Sequence, residues 1–260
     1  MSDALHGRIG LVTGASAGIG EATAEHLASA GARVVLNARR EDRIRAVADR
    51  INERAGEERA VCVPGDAGDA GVIAAMLDAA KSSFGADADL VVVNAGRGLA
   101  GSVMTSDEDQ WEEMVRLNLL GAAKLMRHAG ERMTAGAEGE QWPGTARDIV
   151  VIGSNVGRHI SPFSSMYGAT KFGVNSLAEA QRRELGPRGV RVSLIEPGIV
   201  RSEFQGVAGY DPESFGALME KFGPVLEPAD VARLIVFIAS QPAHVHLNDA
   251  VIRPTRQDYP

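Results

Sequence analysis

The sequence predicts an α/β fold: a single parallel, doubly wound sheet of about seven strands with helices on both faces. Two observations carry this. Strand-like and helix-like runs alternate along nearly the whole chain with short connections, the order that parallel crossovers produce. Several strand runs, such as those in "ADLVVVNAG" and "RDIVVIGS", are almost continuously apolar, as expected where helices cover both faces of a sheet. The 260 residues suffice for one sizeable domain, so 1–260 is read as a single unit.

The elements follow in order. "RIGLVTG" is a first strand, and "GEATAEHLASAG" a helix ending at Gly31. "ARVVLNA" is a second strand. "EDRIRAVADRINERAG" is an amphipathic helix that stops at a glycine, the usual residue just past a helix end. "RAVCVPG" and "DAGVIAAMLDAAKSSFG" are the third strand and helix. "ADLVVVNAG" is the fourth strand, followed by one long helix over 107–133 and a fifth strand, "RDIVVIGS". "SMYGATKFGVNSLAEAQRRELG" is a second long helix and "GVRVSLIEPG" a sixth strand. "EPADVARLIVFIASQ" is the last helix and "NDAVIRP" the seventh strand.

Two segments break the alternation. Residues 134–147 are Gly-rich and polar, an exposed insertion in which Trp142 either packs the loop down or lies at a contact. Residues 199–227 read as a long irregular stretch carrying Phe204, Tyr210, Phe215, Met219 and Phe222. So many apolar residues outside the core strands predict a lid over a pocket.

Composition excludes several classes. A net charge of −7 provides no electrostatic footprint for nucleic acid or an anionic membrane. No apolar run is long enough to span a bilayer. The lone Cys62 precludes an intrachain disulfide and fits a reducing compartment. It sits in "AVCVPG" and is read as a core residue. The polar start of the chain lacks a secretory apolar stretch, and a cytoplasmic location is expected. His159, His244 and His246 have no ligand-like spacing with acidic residues, so no metal site is expected.

Two motifs carry chemistry. After the first strand, "TGASAGIG" leads into a helix. Glycines there let the backbone approach a pyrophosphate, and the helix N-terminus offers free N–H groups. In "MYGATKFG", Tyr167 and Lys171 are four apart and share one helix face. A lysine facing a phenol favours the phenolate and lowers its pKa, which would make Tyr167 a usable general acid or base.

From Ile9 to Pro254 the chain resembles the short-chain dehydrogenase/reductase family, with its T-G-x3-G-x-G loop and Y-x3-K pair. The ending "QPAHVHLNDAVIRPTRQ" resembles the branch of 3-hydroxy acid (serine-type) and clavulanic acid dehydrogenases. The resemblance implies a Rossmann-type fold that binds a dinucleotide with Gly14, Ser16, Ala17, Gly18, Ile19 and Gly20. "NAG", Asn94, Ala95 and Gly96, matches N-N-A-G with Val93 in place of its first asparagine. Asp66, with Ala67 after it, matches the residue that meets the adenine. "EPGIVRS" matches P-G-x-V-x-T and adds Pro197, Gly198, Val200 and Ser202, where serine replaces threonine. Asn118 matches the active-site asparagine, and Ser154, thirteen residues before Tyr167, matches the serine.

What the resemblance implies is hydride transfer between a nicotinamide and a carbonyl or alcohol carbon. Tyr167 would supply the proton and Ser154 a hydrogen bond to the substrate oxygen. Lys171 would tune Tyr167 and hold the nicotinamide ribose, and Asn118 would hold a water that reconnects Lys171 to solvent. The end of the second strand decides the cofactor. NAD-preferring folds place an acid there, whereas here Ala38 is followed by Arg39 and Arg40. Arg39 can hydrogen-bond a 2′-phosphate, so NADP(H) is expected. The branch suggests a small 3-hydroxy acid or aldehyde. Arg158 and Arg201 could then hold a carboxylate beside Phe204, or be ordinary surface arginines. The alternatives are a bulkier ketone or sugar-like substrate, and a dinucleotide-binding regulator without turnover. The family also implies a homo-oligomer, a tetramer, paired through helices around 108–133 and 165–186, with the tail 254–260 at a second interface.

Overall fold

Seven strands pair in parallel in the computed structural model of the chain, which describes residues 3–135, 144 and 146–259. They are β1 (Ile9–Thr13), β2 (Arg33–Ala38), β3 (Ala60–Pro64), β4 (Leu90–Val93), β5 (Arg147–Ile152), β6 (Val190–Pro197) and β7 (Asp249–Ile252). Their spatial order is β3-β2-β1-β4-β5-β6-β7. Strand order reverses between β1 and β4, so a crevice opens at their C-terminal ends, where such sheets bind ligands.

The helices are α1 (Gly18–Ser29), α2 (Glu41–Ala55), α3 (Ala70–Phe84), α4 (Trp111–Val115), α5 (Ala122–Thr134), α6 (Ser165–Leu185), α7 (Phe204–Ala208), α8 (Pro212–Phe222) and α9 (Pro228–Ala239). The sheet separates two apolar cores. Leu27 of α1, Ile44 of α2 and Ile235 of α9 pack on one face, and Met76 of α3, Leu125 of α5 and Val174 of α6 on the other. The period-two rule of strands feeds both: Ile149 and Val151 of β5 enter one core, Val150 and Ile152 the other. Cys62 is half-buried against the first core, its thiol donating to Ile44 O at 3.3 Å. Among the described residues, no helix is long and apolar enough to cross a membrane.

Two features differ from the expectation. The long helix over 107–133 is interrupted: α4 and α5 are joined by a π-helical turn, Arg116–Gly121, which contains Asn118. Gly121 there runs so close to Gly68 that a Cβ would lie 2.9 Å from its Cα. The stretch 199–227 is largely helical. Asp211 caps α8 by accepting from Ser214 N at 2.8 Å, Pro212 occupies the first helical position, and Gly223 follows the last. Trp142 and most of the 134–147 loop lie outside the described residues.

At the N-terminal ends of the strands, opposite the crevice, lies an ionic cluster that no sequence motif announces. Asp148 at the start of β5 pairs with Arg8 at 2.8 Å and Arg191 at 2.7 Å, and Arg8 pairs with Asp89 at 3.0 Å. Asp148 is fully buried.

Candidate active site

The crevice is a cavity of about 770 Å³, bounded by the C-terminal ends of β1, β2, β4, β5 and β6, by α7 and α8, and by the tail. Its floor is the glycine loop. Gly14 and Gly18 have φ of +69° and +59°, the region where a side chain is strained. A Cβ on Gly14 would also meet Asn94 Nδ2 at 2.8 Å. That amide donates to Thr13 O at 2.8 Å, and Thr13 Oγ1 accepts from Asn94 N and Ala95 N, both at 3.0 Å. The loop and "NAG" are thus one hydrogen-bonded unit, formed without Val93's missing side-chain amide. Ala17 precedes α1 and has no side chain to cap it, so no side-chain cap bond occupies the first-turn N–H groups. An anion is the natural partner of such an end. The free helix end and the glycine cradle fit a dinucleotide pyrophosphate.

Of the loop residues expected to hold the cofactor, Gly14, Ser16, Ala17, Gly18 and Ile19 line the cavity. Gly20 does not; it lies behind the loop, where a Cβ would strike Gly14 O and Asn94 Nδ2. Asp66, Ala67, Asn94, Ala95, Gly96, Pro197, Gly198, Val200 and Ser202 also line it. Burial works against the Asp66 charge, but Gly68 N–H and Arg116, 2.6 Å away, outweigh it and hold the carboxyl below its ordinary range.

Arg39 and Arg40 reach the cavity from the end of β2. Arg39 lies 3.4 Å from Glu113. Arg40 donates to Ser16 Oγ at 3.0 Å and pairs with Glu203 at 2.8 Å, while Arg43 pairs with the same carboxylate at 2.6 Å. Sequence reasoning missed Arg43 and Glu203, which lie on separate elements with no motif between them.

Ser154, Tyr167 and Lys171 converge on the cavity, and all are less than a tenth exposed. The Ser154 hydroxyl hydrogen-bonds Tyr167. Lys171 Nζ sits 5.8 Å from the Tyr167 ring centre and donates to Ile152 O at 2.8 Å. The expected lowering of the phenol pKa does not occur. Burial pushes Tyr167 well above its ordinary value, more than the Ser154 hydrogen bond opposes it. Burial also takes Lys171 down to about 8. Desolvation dominates both shifts.

Asn118 does not line the cavity but clamps its wall. Its Oδ1 accepts from Arg97 N at 2.9 Å, and its Nδ2 donates to Arg97 O at 2.8 Å and to Thr170 Oγ1 at 3.1 Å. It therefore ties the segment after "NAG" to α6.

The outer part of the cavity is formed by α7, α8 and residues 161–164. Phe204 lies 5.5 Å from Tyr167, centre to centre. Phe163, Val207 and Leu218 add apolar surface; Ser161, Ser164 and Tyr210 add hydroxyls, with Ser164 Oγ 3.2 Å from Ser161 Oγ. The tail lines it too: Gln257 accepts from Ile199 N at 3.0 Å, and Tyr259 donates to Ile160 O. Arg158 and Arg201 do not line the cavity. Arg158 is held by Glu196 and Asp249, both at 2.5 Å, and Arg201 by Glu227 at 3.0 Å. Carboxylates within the fold already pair with the two guanidiniums that could have held a substrate carboxylate.

A doubly wound parallel sheet with a glycine cradle at its switch point defines the class of dinucleotide-binding α/β proteins. The family model for short chain dehydrogenases matches residues 8–211, and the chain belongs to that family of oxidoreductases. An uncharacterized oxidoreductase of Staphylococcus saprophyticus is 31% identical over 252 residues, 96% of this chain and 98% of that protein. Two solved structures are similar over their length. One is a serine dehydrogenase in closed form with NADP+ (28% identity, TM-score 0.84, 96% of each chain). The other is a 3-ketoacyl-(acyl-carrier-protein) reductase from Brucella melitensis with NADH (26% identity, TM-score 0.84, 97% of this chain and 99% of that one).

Proposed function

We propose that the protein is an NADP(H)-dependent carbonyl reductase or alcohol dehydrogenase acting on an uncharged carbonyl compound with an apolar substituent. The observation that carries this is the convergence of buried Ser154, Tyr167 and Lys171 on the cavity that holds the glycine cradle. When bound, the nicotinamide supplies the hydride that converts the carbonyl carbon to a carbinol. Tyr167 gives its phenolic proton to the oxygen as the carbon–oxygen π bond breaks, and Ser154 hydrogen-bonds that oxygen while charge builds on it. A phenol held above its ordinary value keeps its proton at neutral pH, the form the reductive direction needs. Lys171 borders both the phenol and the cavity and would hold the ribose; Asn118 fixes the wall behind it.

Preference for NADP(H) is supported by Ala38 where an acid would serve NAD, and by Arg39 and Arg40 facing the cavity. The related structures hold NADP+ in one case and NADH in the other, so the preference rests on these residues. The neutral substrate is supported by Phe163, Phe204, Val207 and Leu218 and by the pairing of Arg158 and Arg201. A small 3-hydroxy acid, suggested by the C-terminal resemblance, is the weaker reading.

A carbonyl panel with NADPH and NADH, read by absorbance, tests this. It should contain semialdehydes, 3-oxo acids, and neutral aliphatic and aryl ketones. Neutral ketones with NADPH should give the highest kcat/KM; a 3-oxo acid with NADH in that place would overturn both assignments. We further read the chain as a cytoplasmic homotetramer with 199–227 as a substrate lid. Leu120 and Phe172, exposed on the two long helical segments, support an assembly there. A monomer in light scattering at micromolar concentration would count against it.

A further inference from the structure

We propose that Asn175, held by Glu196, is a positioning residue that sets the place of Ser154 relative to Tyr167. The inference rests on the assignment of Tyr167 and Ser154 above. Tyr167 and Lys171 are rigidly spaced because they share α6. Ser154 is not on that helix; it lies in the segment that links β5 to α6, so something must fix one against the other.

Asn175 is one helical turn beyond Lys171 and two beyond Tyr167, so it lies on the same face of α6. Its carboxamide is wedged between the two glycines that bracket the Ser154 turn. A Cβ on Gly153 would lie 2.5 Å from Asn175 Oδ1, and one on Gly157 would lie 2.6 Å from Asn175 Nδ2. Gly157 also runs against the α6 backbone, where its Cβ would meet Lys171 O at 2.9 Å. Any side chain at either glycine would push the turn away from the helix. Across that tight approach the turn closes on itself: Gly157 N donates to Ser154 O at 2.9 Å, and Val156 N to Ser154 Oγ at 3.3 Å.

Glu196 orients the wedge. It is 1% exposed, and its Oε1 accepts from Asn175 Nδ2 at 2.7 Å. A carboxylate at that distance decides which end of the carboxamide faces it, because the reversed amide would set oxygen against oxygen. The other carboxylate oxygen accepts from Arg158 Nε at 2.8 Å, and Arg158 extends to Asp249 on β7. The chain β7–Arg158–Glu196–Asn175 thus anchors the turn to the sheet. Asn175 touches no reacting group, so its effect would run through Ser154.

The test uses the whole protein and four variants: Asn175→Ala, Asn175→Asp, Asn175→Asp combined with Glu196→Gln, and Tyr167→Phe. Asn175→Ala should raise hydrogen exchange in the peptide spanning 153–158 while leaving the rest of α6 protected. It should lower kcat by about 10- to 100-fold, the scale of misplacing a reacting group by about an ångström. The Kd for NADPH, read by fluorescence, should change less than about twofold. Asn175→Asp should be at least as damaging, since it sets two carboxylates together. Adding Glu196→Gln should restore exchange protection and most of kcat by reversing the donor and acceptor of the same bond. Unchanged exchange at 153–158 in Asn175→Ala would overturn the inference, as would equal losses of kcat and NADPH affinity or a failure of the double variant to rescue. A fully active Tyr167→Phe would instead overturn the functional assignment, whatever the exchange data show.

Discussion

Replacing Lys171 by methionine separates what the site does from what it costs the fold. The ammonium is 6% exposed and donates to Ile152 O at 2.8 Å. Burial takes it down to about 8. Against an unfolded lysine near ~10.4, that corresponds to roughly 3 kcal/mol at about 1.4 kcal/mol per pH unit. A folded value below the unfolded one means that the folded state holds the proton more weakly. The penalty is therefore complete below about pH 8, fades as pH rises toward ~10.4, and is gone above it. Methionine keeps the length of the stem and carries no charge, but it strands the Ile152 carbonyl, at about 1–3 kcal/mol. The net difference at pH 7 is small for that reason, whereas its pH dependence is not. Urea unfolding of wild type and Lys171→Met should show wild type gaining on the variant by roughly 2–3 kcal/mol between pH 7 and 10. Tyr167 is present in both proteins and cancels from the difference. A difference that stayed flat across this range would refute the desolvated lysine.

Tyr167→Phe keeps the ring against Phe204 and deletes the proton donor, so turnover should fall by roughly 10²–10⁴ with NADPH affinity nearly unchanged in a fluorescence titration; retention of more than a tenth of turnover would exclude the assignment. Arg39→Ala should weaken NADPH by roughly 1.5–3 kcal/mol, as for a hydrogen bond to a charged group, and leave NADH binding as it was, while Ala38→Asp should move kcat/KM toward NADH. Arg201→Ala should shift KM for a 3-oxo acid no more than for a neutral ketone of the same size, because Glu227 already holds that guanidinium. Asp148→Asn removes the carboxylate shared by Arg8 and Arg191 and should lower unfolding stability by roughly 3–5 kcal/mol; a loss under 1 kcal/mol in urea would mean the cluster relaxes.

The strands were legible because both faces of the sheet are covered, which writes continuous apolar runs into β4 and β5. The glycine loop was legible because its close approaches exclude side chains, and exclusion leaves a residue-level mark at Gly14 and Gly18. Features that depend on where separate elements meet left no such mark. Arg158 and Arg201 stayed open between substrate ligands and surface arginines because nothing local shows that Glu196, Asp249 and Glu227 lie beside them. The helices of 199–227 had a signal, Asp211-Pro212 at the start of α8 and Gly223 past its end, outweighed by the scatter of aromatic residues. Tyr167 and Lys171, picked out by their spacing, both line the cavity. The spacing could not show that desolvation dominates both groups, since burial is a property of the whole fold. Gln257 and Tyr259 reach the cavity from the end of the chain, and short tail segments carry no periodicity that would have shown it.

The pairing of charges around the cavity bears on cofactor and substrate together. Arg39 and Arg97 both reach Glu113, at 3.4 and 3.3 Å, and Arg40 and Arg43 share Glu203. Each of these two carboxylates is shared between two guanidiniums, and Asp66, Asp42 and Glu21 add negative charge nearby. Arg158, by contrast, faces two carboxylates, and Arg201 faces one. Arg39 and Arg40, on which the proposed NADP(H) preference rests, line the cavity, whereas Arg158 and Arg201 do not. A dianionic phosphate at Arg39 and Arg40 gains charge-assisted hydrogen bonds without breaking a one-to-one pair. A substrate carboxylate at Arg158 or Arg201 would have to share the guanidinium with an acid already paired to it. The difference between shared carboxylates at Arg39 and Arg40 and dedicated ones at Arg158 is what the proposed choice of NADP(H) and an uncharged carbonyl compound draws on.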